Sequence, residues 1–315
     1  MITIPMNGTN HVLLNRRKFM SAAAGLIAAG ILPKNVWALA KPYSFKQGAY
    51  DVTVVSDGTL MLPLGLFPDA APAELKKLLG DAVHAENYQL ETNPILLKSG
   101  SEVILLDTGG AGFQSSAGKV VQSLQAAGTE AAAVTKVIYT HAHPDHCWGT
   151  LGKDGKPIFS NASFHMAEAE WNFWTASDLA SKMPKDLNAM VIGTQAQLAG
   201  IKERIKLFKP GTEILPGINV LDTAGHTPGH VSFEMAGGDG MIVVADAITN
   251  PFVFFAHPEW KFGFDADSDK AVAARKKMLG MASAGKKKLL GYHWPYPGVG
   301  IAEVRNGAYT YIPMT

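Results

Sequence analysis

The sequence predicts an α/β protein with a two-sheet core and helices outside it. Three observations lead there. The 315 residues are 47% hydrophobic and 17% charged, which suits a globular chain with a sizeable core. Short apolar and β-branched runs alternate with helix-like segments. Finally, Asp107, His141, His143, His226, Asp246 and His293 each stand just past the end of an apolar strand run. Chemistry carried on loops held by rigid sheets is the usual division of labour.

The elements follow in chain order. "YDVTVVSDGTLMLPL" (50–64) alternates and predicts a hairpin turning at Asp57-Gly58. "NPILLKSGSEVILLDTGG" predicts a second hairpin at Gly100-Ser101, whose last strand (103–106) is apolar throughout and ends at Asp107. "SAGKVVQSLQAAG" (116–128) reads as a helix stopped by Gly128. "TKVIYT" (135–140) is a short β-branched strand that leads into "HAHPDH". Residues 164–206, rich in Trp and Met, read as mostly helical. "INVLDTAG" and "VSFEMAGG" are strands on either side of "HTPGH", and "GMIVVADAI" is a buried strand that leads to Asp246. "DSDKAVAARKKMLGMASAG" is a helix with Asp267 or Ser268 near its N-cap. "KKLLGYHW" is a strand ending at His293, and "IAEVRNGAYTYIP" closes the chain as a hairpin on Asn306-Gly307.

The N-terminus has a different character. Residues 1–40 contain Arg16, Arg17, Lys18 and Lys34 and no acid, so the net charge of +1 becomes −3 without them. The twin arginine, the apolar run 21–32 and "ALA" at 38–40 match the three-part layout of a cleaved export signal of the twin-arginine type. That run is too short to span a bilayer as a mature helix. A mature domain of 41–315 in the periplasm or outside the cell is therefore expected, with no stable membrane insertion. A near-neutral chain also excludes a bulk electrostatic case for a nucleic-acid partner. With one cysteine, Cys147, no intramolecular disulfide can form. A small buried thiol is the expected role.

"HAHPDH" carries the chemistry. In an extended segment His141 and His143 point the same way. Pro144 keeps His143 extended. Asp145 and His146 are then adjacent and cannot both face the ion held by the first pair. Two ions are the economical solution. His141, His143 and His226 are assigned to the first, and Asp145, His146 and His293 to the second, with Asp246 bridging. A hydroxide between the ions would be the nucleophile, and the ions would receive the developing negative charge. Asp145 is a candidate proton acceptor while it ligates. Zinc is the default ion for such N/O donors; manganese, iron and cobalt accept the same set. Asp107, ending a buried strand beneath the cluster, is expected to orient a ligand. His230 is excluded from the ligand set, which is already full.

"THAHPDH", "DTAGHTPGH", "VVADAI" and "GYHWPYPG", preceded by "LLDTGG", resemble the successive motifs of metallo-β-lactamase-fold hydrolases over residues 48–315. The resemblance implies an αββα four-layer sandwich with the metals at one edge, between the sheets. "FDADSDKAVAARKKML" followed by "GYHWPYPGVG" and a final hairpin resembles the methyl parathion hydrolase and lactonase branch, which implies a homodimer acting on lactones, aryl esters and, in some members, phosphotriesters. The expected partner is accordingly a small hydrophobic ester, lactone or phosphotriester, and Leu64, Phe67, Trp174 and Phe254 are the candidate pocket residues. A β-lactamase or other amide hydrolase of the same fold is the first alternative, weakened by the bridging carboxylate at Asp246. Flavodiiron proteins replace the second histidine of the cluster with glutamate, whereas His143 is intact here. Nucleases of the superfamily carry a large inserted domain. A non-catalytic, metal-stabilised binding protein is the last class.

Overall fold

The computed structural model describes residues 40–113 and 117–314. The export signal predicted for 1–40 falls almost wholly outside them. Strands sort into two seven-stranded sheets and one small sheet. The first sheet runs, in spatial order, Tyr43–Gln47, Tyr50–Val54, Ile95–Ser99, Glu102–Leu106, Lys136–Ile138, Ser163–Ala167 and Ile205–Phe208. Its neighbours are antiparallel as far as Glu102–Leu106 and parallel thereafter. The second runs Glu213–Leu215, Ile218–Asp222, Val231–Met235, Met241–Val243, Lys288–Leu290, Val299–Arg305 and Ala308–Pro313. Its one parallel pair, Met241–Val243 with Lys288–Leu290, is joined through the long helix Ser268–Ala284.

Strand alternation explains why the runs are apolar throughout. In Glu102–Leu106, Ile104 and Leu106 join the core cluster shared with Val220 and Val243 of the other sheet, while Leu105 joins the cluster that holds Leu124 and Val191 of covering helices. Both faces are buried from Ile104 to Leu106, so none of those positions is free to be polar. Helices Pro251–Ala256 and Ser268–Ala284 cover the second sheet. The architecture is the αββα sandwich. Among the described residues no helix is long and apolar enough to cross a membrane.

Several local expectations hold. Ser99 pairs with Glu102 across the Gly100-Ser101 turn. Arg305 pairs with Ala308 across Asn306-Gly307, both at positive φ (52° and 80°), the geometry of a type I′ hairpin. Asp267 caps the long helix, its carboxylate accepting from the Lys270 N–H.

The first hairpin does not form. Tyr50–Val54 pairs with Ile95–Ser99 in the large sheet, whereas Gly58–Pro63 pairs with Asn87–Thr92 in the three-stranded sheet. Asp57 is buried between them, and its carboxylate accepts from the backbone N–H groups of Gly110 and Val120 at 2.8 Å. A turn-type Asp-Gly dipeptide thus serves a tertiary bond. The stretch 164–206 is also less helical than its composition suggests. It begins on the strand Ser163–Ala167 and ends on Ile205–Phe208, with helices Glu168–Trp174, Leu179–Lys182 and Asn188–Ala199 between.

Candidate metal centre

The site lies where strands of both sheets end. His143 is the extended N-cap (φ −64°, ψ 156°) of a single turn, Pro144–Cys147, with Pro144 at the first helical position. This break gives Asp145 and His146 helical rather than extended backbone, so they do not continue the alternation of His141 and His143. His226 follows Ile218–Asp222, Asp246 follows Met241–Val243, and His293 follows Lys288–Leu290. All seven predicted ligands come together. Their donor atoms fall into three overlapping groups able to hold an ion: His141, His143 and His226; Asp145, His146 and His293; and His141, His146 and Asp246. The first two match the sequence assignment, and the third joins one histidine from each through Asp246.

Hydrogen bonding fixes which nitrogens point inward. His226 Nδ1 lies 3.0 Å from Asp265 Oδ1 and His293 Nδ1 2.8 Å from the Glu91 carbonyl. His146 Nδ1 lies 2.8 Å from Asp107 Oδ2. These oxygens accept, so each Nδ1 carries a proton and, in the neutral ring, each Nε2 turns a lone pair inward. The Thr140 hydroxyl donates to Asp107 Oδ2 (2.8 Å) and so accepts from His141 Nδ1 (3.0 Å), which leaves His141 Nε2 bare as well.

Those lone pairs face acceptors. Asp246 Oδ2 is 3.2 Å from His226 Nε2 and 3.3 Å from His293 Nε2, and Asp145 Oδ2 is 3.2 Å from His293 Nε2. Asp246 Oδ1 and His146 Nε2, 3.3 Å apart, are buried and have no hydrogen-bond partner. Acceptor facing acceptor at that range is repulsive unless a cation lies between. The ring nitrogens His141 Nε2, His143 Nδ1 and His226 Nε2 stand 3.1 and 3.0 Å apart in sequence. Donors on a tetrahedral zinc are separated by about 3.3 Å, given Zn–N near 2.0–2.1 Å. The donor set therefore fits two divalent ions.

The electrostatics show what protons would do in their place. Burial and His226 push His143 down to about 3, and burial lowers His141 well below the usual range. Burial also opposes protonation of His226 and His293, but adjacent carboxylates outweigh it and raise both to about 9. Asp246, desolvated yet surrounded by His293, His146 and His226, is held well below the ordinary carboxylate range. The cluster recruits positive charge.

Supporting contacts absent from the sequence reading hold this frame. Glu170, fully buried, accepts from the N–H groups of Ala142 and Gly229, the Thr227 hydroxyl and the Trp174 indole. It thereby ties the "HAHPDH" loop to "HTPGH". His230 Nε2 accepts from the Asp246 N–H at 3.1 Å, so this histidine orients the shared carboxylate. The Tyr292 ring stacks on His146 at 3.9 Å, and its hydroxyl donates to the Asp145 carbonyl. Asp265 was detectable only as one acid among several in "FDADSD", and Glu170 had no signal beside Trp171. Asp107 sits under His146 as expected, at φ 61°.

The predicted pocket residues are corrected. The cleft over the cluster is lined by Leu60, Leu62, Leu90, Phe113, Phe262 and Phe264 among others. Leu64, Phe67, Trp174 and Phe254 do not line it; all are buried in the core. Strand alternation points Leu60 and Leu62 into the cleft. After Pro63 the chain turns through Leu64–Leu66, and Phe67 packs on Tyr88, Phe254 and Phe262. Trp174 lies edge-on to His143, with its N–H committed to Glu170.

A sequence model of the family described as "Metallo-beta-lactamase superfamily" matches residues 87–293. The chain is 30% identical over 154 residues to Metallo-beta-lactamase domain-containing protein 1 of Xenopus laevis, a match covering 48% of this chain and 52% of that protein. The chain thus spans about half the length of that curated relative. Among solved structures it is similar to AidC, described as a dizinc quorum-quenching lactonase in complex with a product, N-hexanoyl-L-homoserine (TM-score 0.80, 31% identity, 87% of this chain and 97% of that one). It is equally similar to the hydrolase AbOPH of the β-lactamase superfamily (TM-score 0.81, 31% identity, 88% and 99%).

Proposed function

Because the chain belongs to the metallo-β-lactamase superfamily, we propose that it is a dinuclear metal-dependent hydrolase of uncharged lactones and aryl esters, with phosphotriesters within reach of the same cleft. One observation carries this reading. Two histidine-rich ligand groups meet at a shared Asp246 on the floor of an apolar cleft whose lining, among the described residues, contains no Lys or Arg. An anionic substrate would find no side-chain counter-charge in that wall. A neutral, hydrophobic ester would lose its hydration without an unpaired charge.

His141, His143 and His226 would hold one ion and Asp145, His146 and His293 the other, with Asp246 common to both. When bound, two such cations acidify water and draw electron density from an acyl or phosphoryl oxygen. The protein's own groups do the rest. Asp107, Asp265 and the Glu91 carbonyl fix the ring orientations of His146, His226 and His293. Asp145, which lines the cleft, is placed to accept the proton released as the acyl bond is attacked. Phe262, Phe264 and the Leu60–Leu62 face exclude bulk water from the reacting carbonyl.

Zinc is the proposed ion, supported by the dizinc description of AidC. The methyl parathion hydrolase and lactonase branch, a homodimer, and export on a leader ending near Lys41 complete the proposal. The lead alternative, a β-lactamase, is disfavoured by a cleft whose described lining offers no Lys or Arg to a substrate carboxylate. A kcat/KM panel of an N-acyl-homoserine lactone, dihydrocoumarin, p-nitrophenyl acetate, paraoxon and nitrocefin tests the reading. The uncharged lactone and aryl ester should lead. Preference for nitrocefin, or no turnover of any uncharged substrate with any first-row metal, would overturn it.

A further inference from the structure

Arg275 is the one Lys or Arg in the buried set among the described residues. It projects from the middle of Ser268–Ala284, 1% exposed, with its guanidinium 3.6 Å from the centre of the Phe254 ring. A buried charge costs several kcal/mol even when paired, and an apolar replacement of similar shape is often as stable. Ordinary core packing does not explain it.

Its bonds are distributed in an informative way. Nε donates to the carbonyl of Ala247 (3.3 Å), the residue after Asp246. Nη1 donates to the carbonyls of Pro258 (3.2 Å) and Trp260 (2.6 Å), which open the segment carrying Phe262 and Phe264 into the cleft. Nη2 faces Asp265 Oδ2 at 3.4 Å, and Asp265 Oδ1 accepts from His226 Nδ1 at 3.0 Å. The same segment is stitched to the His226 loop by Ala266 N–H to the His226 carbonyl (3.1 Å) and Asp267 N–H to the Gly225 carbonyl (2.9 Å). One rigid fork of donors thus spans the loop of the shared carboxylate, the aromatic wall and the partner of one ligand histidine. Lysine, a single point donor, could not span all three.

We infer that Arg275 is a positioning residue for the metal centre: through Asp265 it sets the His226 ring, and through Ala247 it seats the Asp246 loop, so that the ion held by His226 depends on a guanidinium that touches neither ion nor substrate. The inference rests on the dinuclear reading above. It deepens that reading by making the two ions unequal in their dependence on the long helix.

The test is a double-mutant cycle of Arg275→Met and Asp265→Asn, read by stepwise zinc affinities in chelator competition, with thermal unfolding of the metal-free proteins alongside. Asp265→Asn keeps side-chain shape and guards against a variant that merely misfolds. Asp265→Asn should weaken one of the two zinc steps about 10–100-fold and leave the other unchanged, and Arg275→Met, which also loosens the loop of the shared Asp246, should weaken that same step more than the other. The double variant should be no worse than the poorer single, because both act along one path. Equal weakening of both steps, strict additivity, or unchanged zinc affinity in a less stable Arg275→Met would overturn the inference. Wild-type protein that bound fewer than two zinc ions would instead defeat the dinuclear reading itself.

Discussion

Replacing Asp107 offers the sharpest check on how the site is held. Its carboxylate, 1% exposed, receives three donors: the Thr140 N–H on Oδ1, and the Thr140 hydroxyl and His146 Nδ1–H on Oδ2, each at 2.8 Å. Asp107→Ala orphans all three, because His141 Nδ1 carries its own proton and cannot accept from the hydroxyl. An unsatisfied buried donor costs about 1–3 kcal/mol, so three give roughly 3–9 kcal/mol. Alanine at φ 61° adds about 1 kcal/mol that Asp or Asn largely avoids. Against this, burial raises the pKa of Asp107 even with His146 beside it, so removing the charge returns some desolvation energy. Asp107→Asn should therefore fall between wild type and alanine, its one oxygen serving part of the donor set while its NH2 confronts the rest. Urea unfolding of chelator-treated protein gives the stability change, and zinc competition should show about a 10–100-fold loss at the ion held by His146. If Asp107→Ala costs under 1 kcal/mol and leaves zinc affinity intact, the carboxylate is a loop cap and the account of His146 is wrong.

The other expectations are briefer. Asp246→Ala should bring metal content below two per chain and abolish hydrolysis, since one carboxylate serves histidines of both groups; elemental analysis finding two ions would contradict its shared role. His293→Ala should weaken the second ion selectively, measurable as loss of one competition step. Metal-free protein should lose stability as pH rises. His226 and His293, raised to about 9, contribute stability that is complete below their unfolded value near 6.5 and is gone once pH passes about 9, so a melting temperature that stays flat from pH 6.5 to 9.5 would refute this. Zinc uptake at neutral pH should correspondingly release protons, seen as a buffer-dependent binding enthalpy. Gly149→Ala should destabilise by at least about 1–3 kcal/mol, because its Cβ would lie 1.9 Å from the Thr108 carbonyl oxygen; an unchanged urea midpoint would mean the two loops are not packed as described.

The candidate ligand set was legible in the chain because coordination needs particular side chains, and these are crowded at the ends of apolar runs where little else justifies them. "HAHPDH" even encodes its own geometry, since Pro144 opens the break across which its four donors divide between two ligand groups. Local hairpins such as Asn306-Gly307 were legible for the same reason: the turn conformation is a property of two residues. What only the tertiary structure decided depends on partners far apart in sequence. Asp57-Gly58 looks like a hairpin turn until Asp57 finds Gly110 and Val120, and Tyr50–Val54 finds a better edge in Ile95–Ser99. Leu60 and Phe67 are equally hydrophobic, yet strand register sends one to the cleft and a turn after Pro63 sends the other to the core. Asp265, Glu170 and Arg275 carry no local pattern, because an orienting group is defined by what it touches. Donor chemistry is written residue by residue; the second layer that aims it exists only once distant segments share a wall.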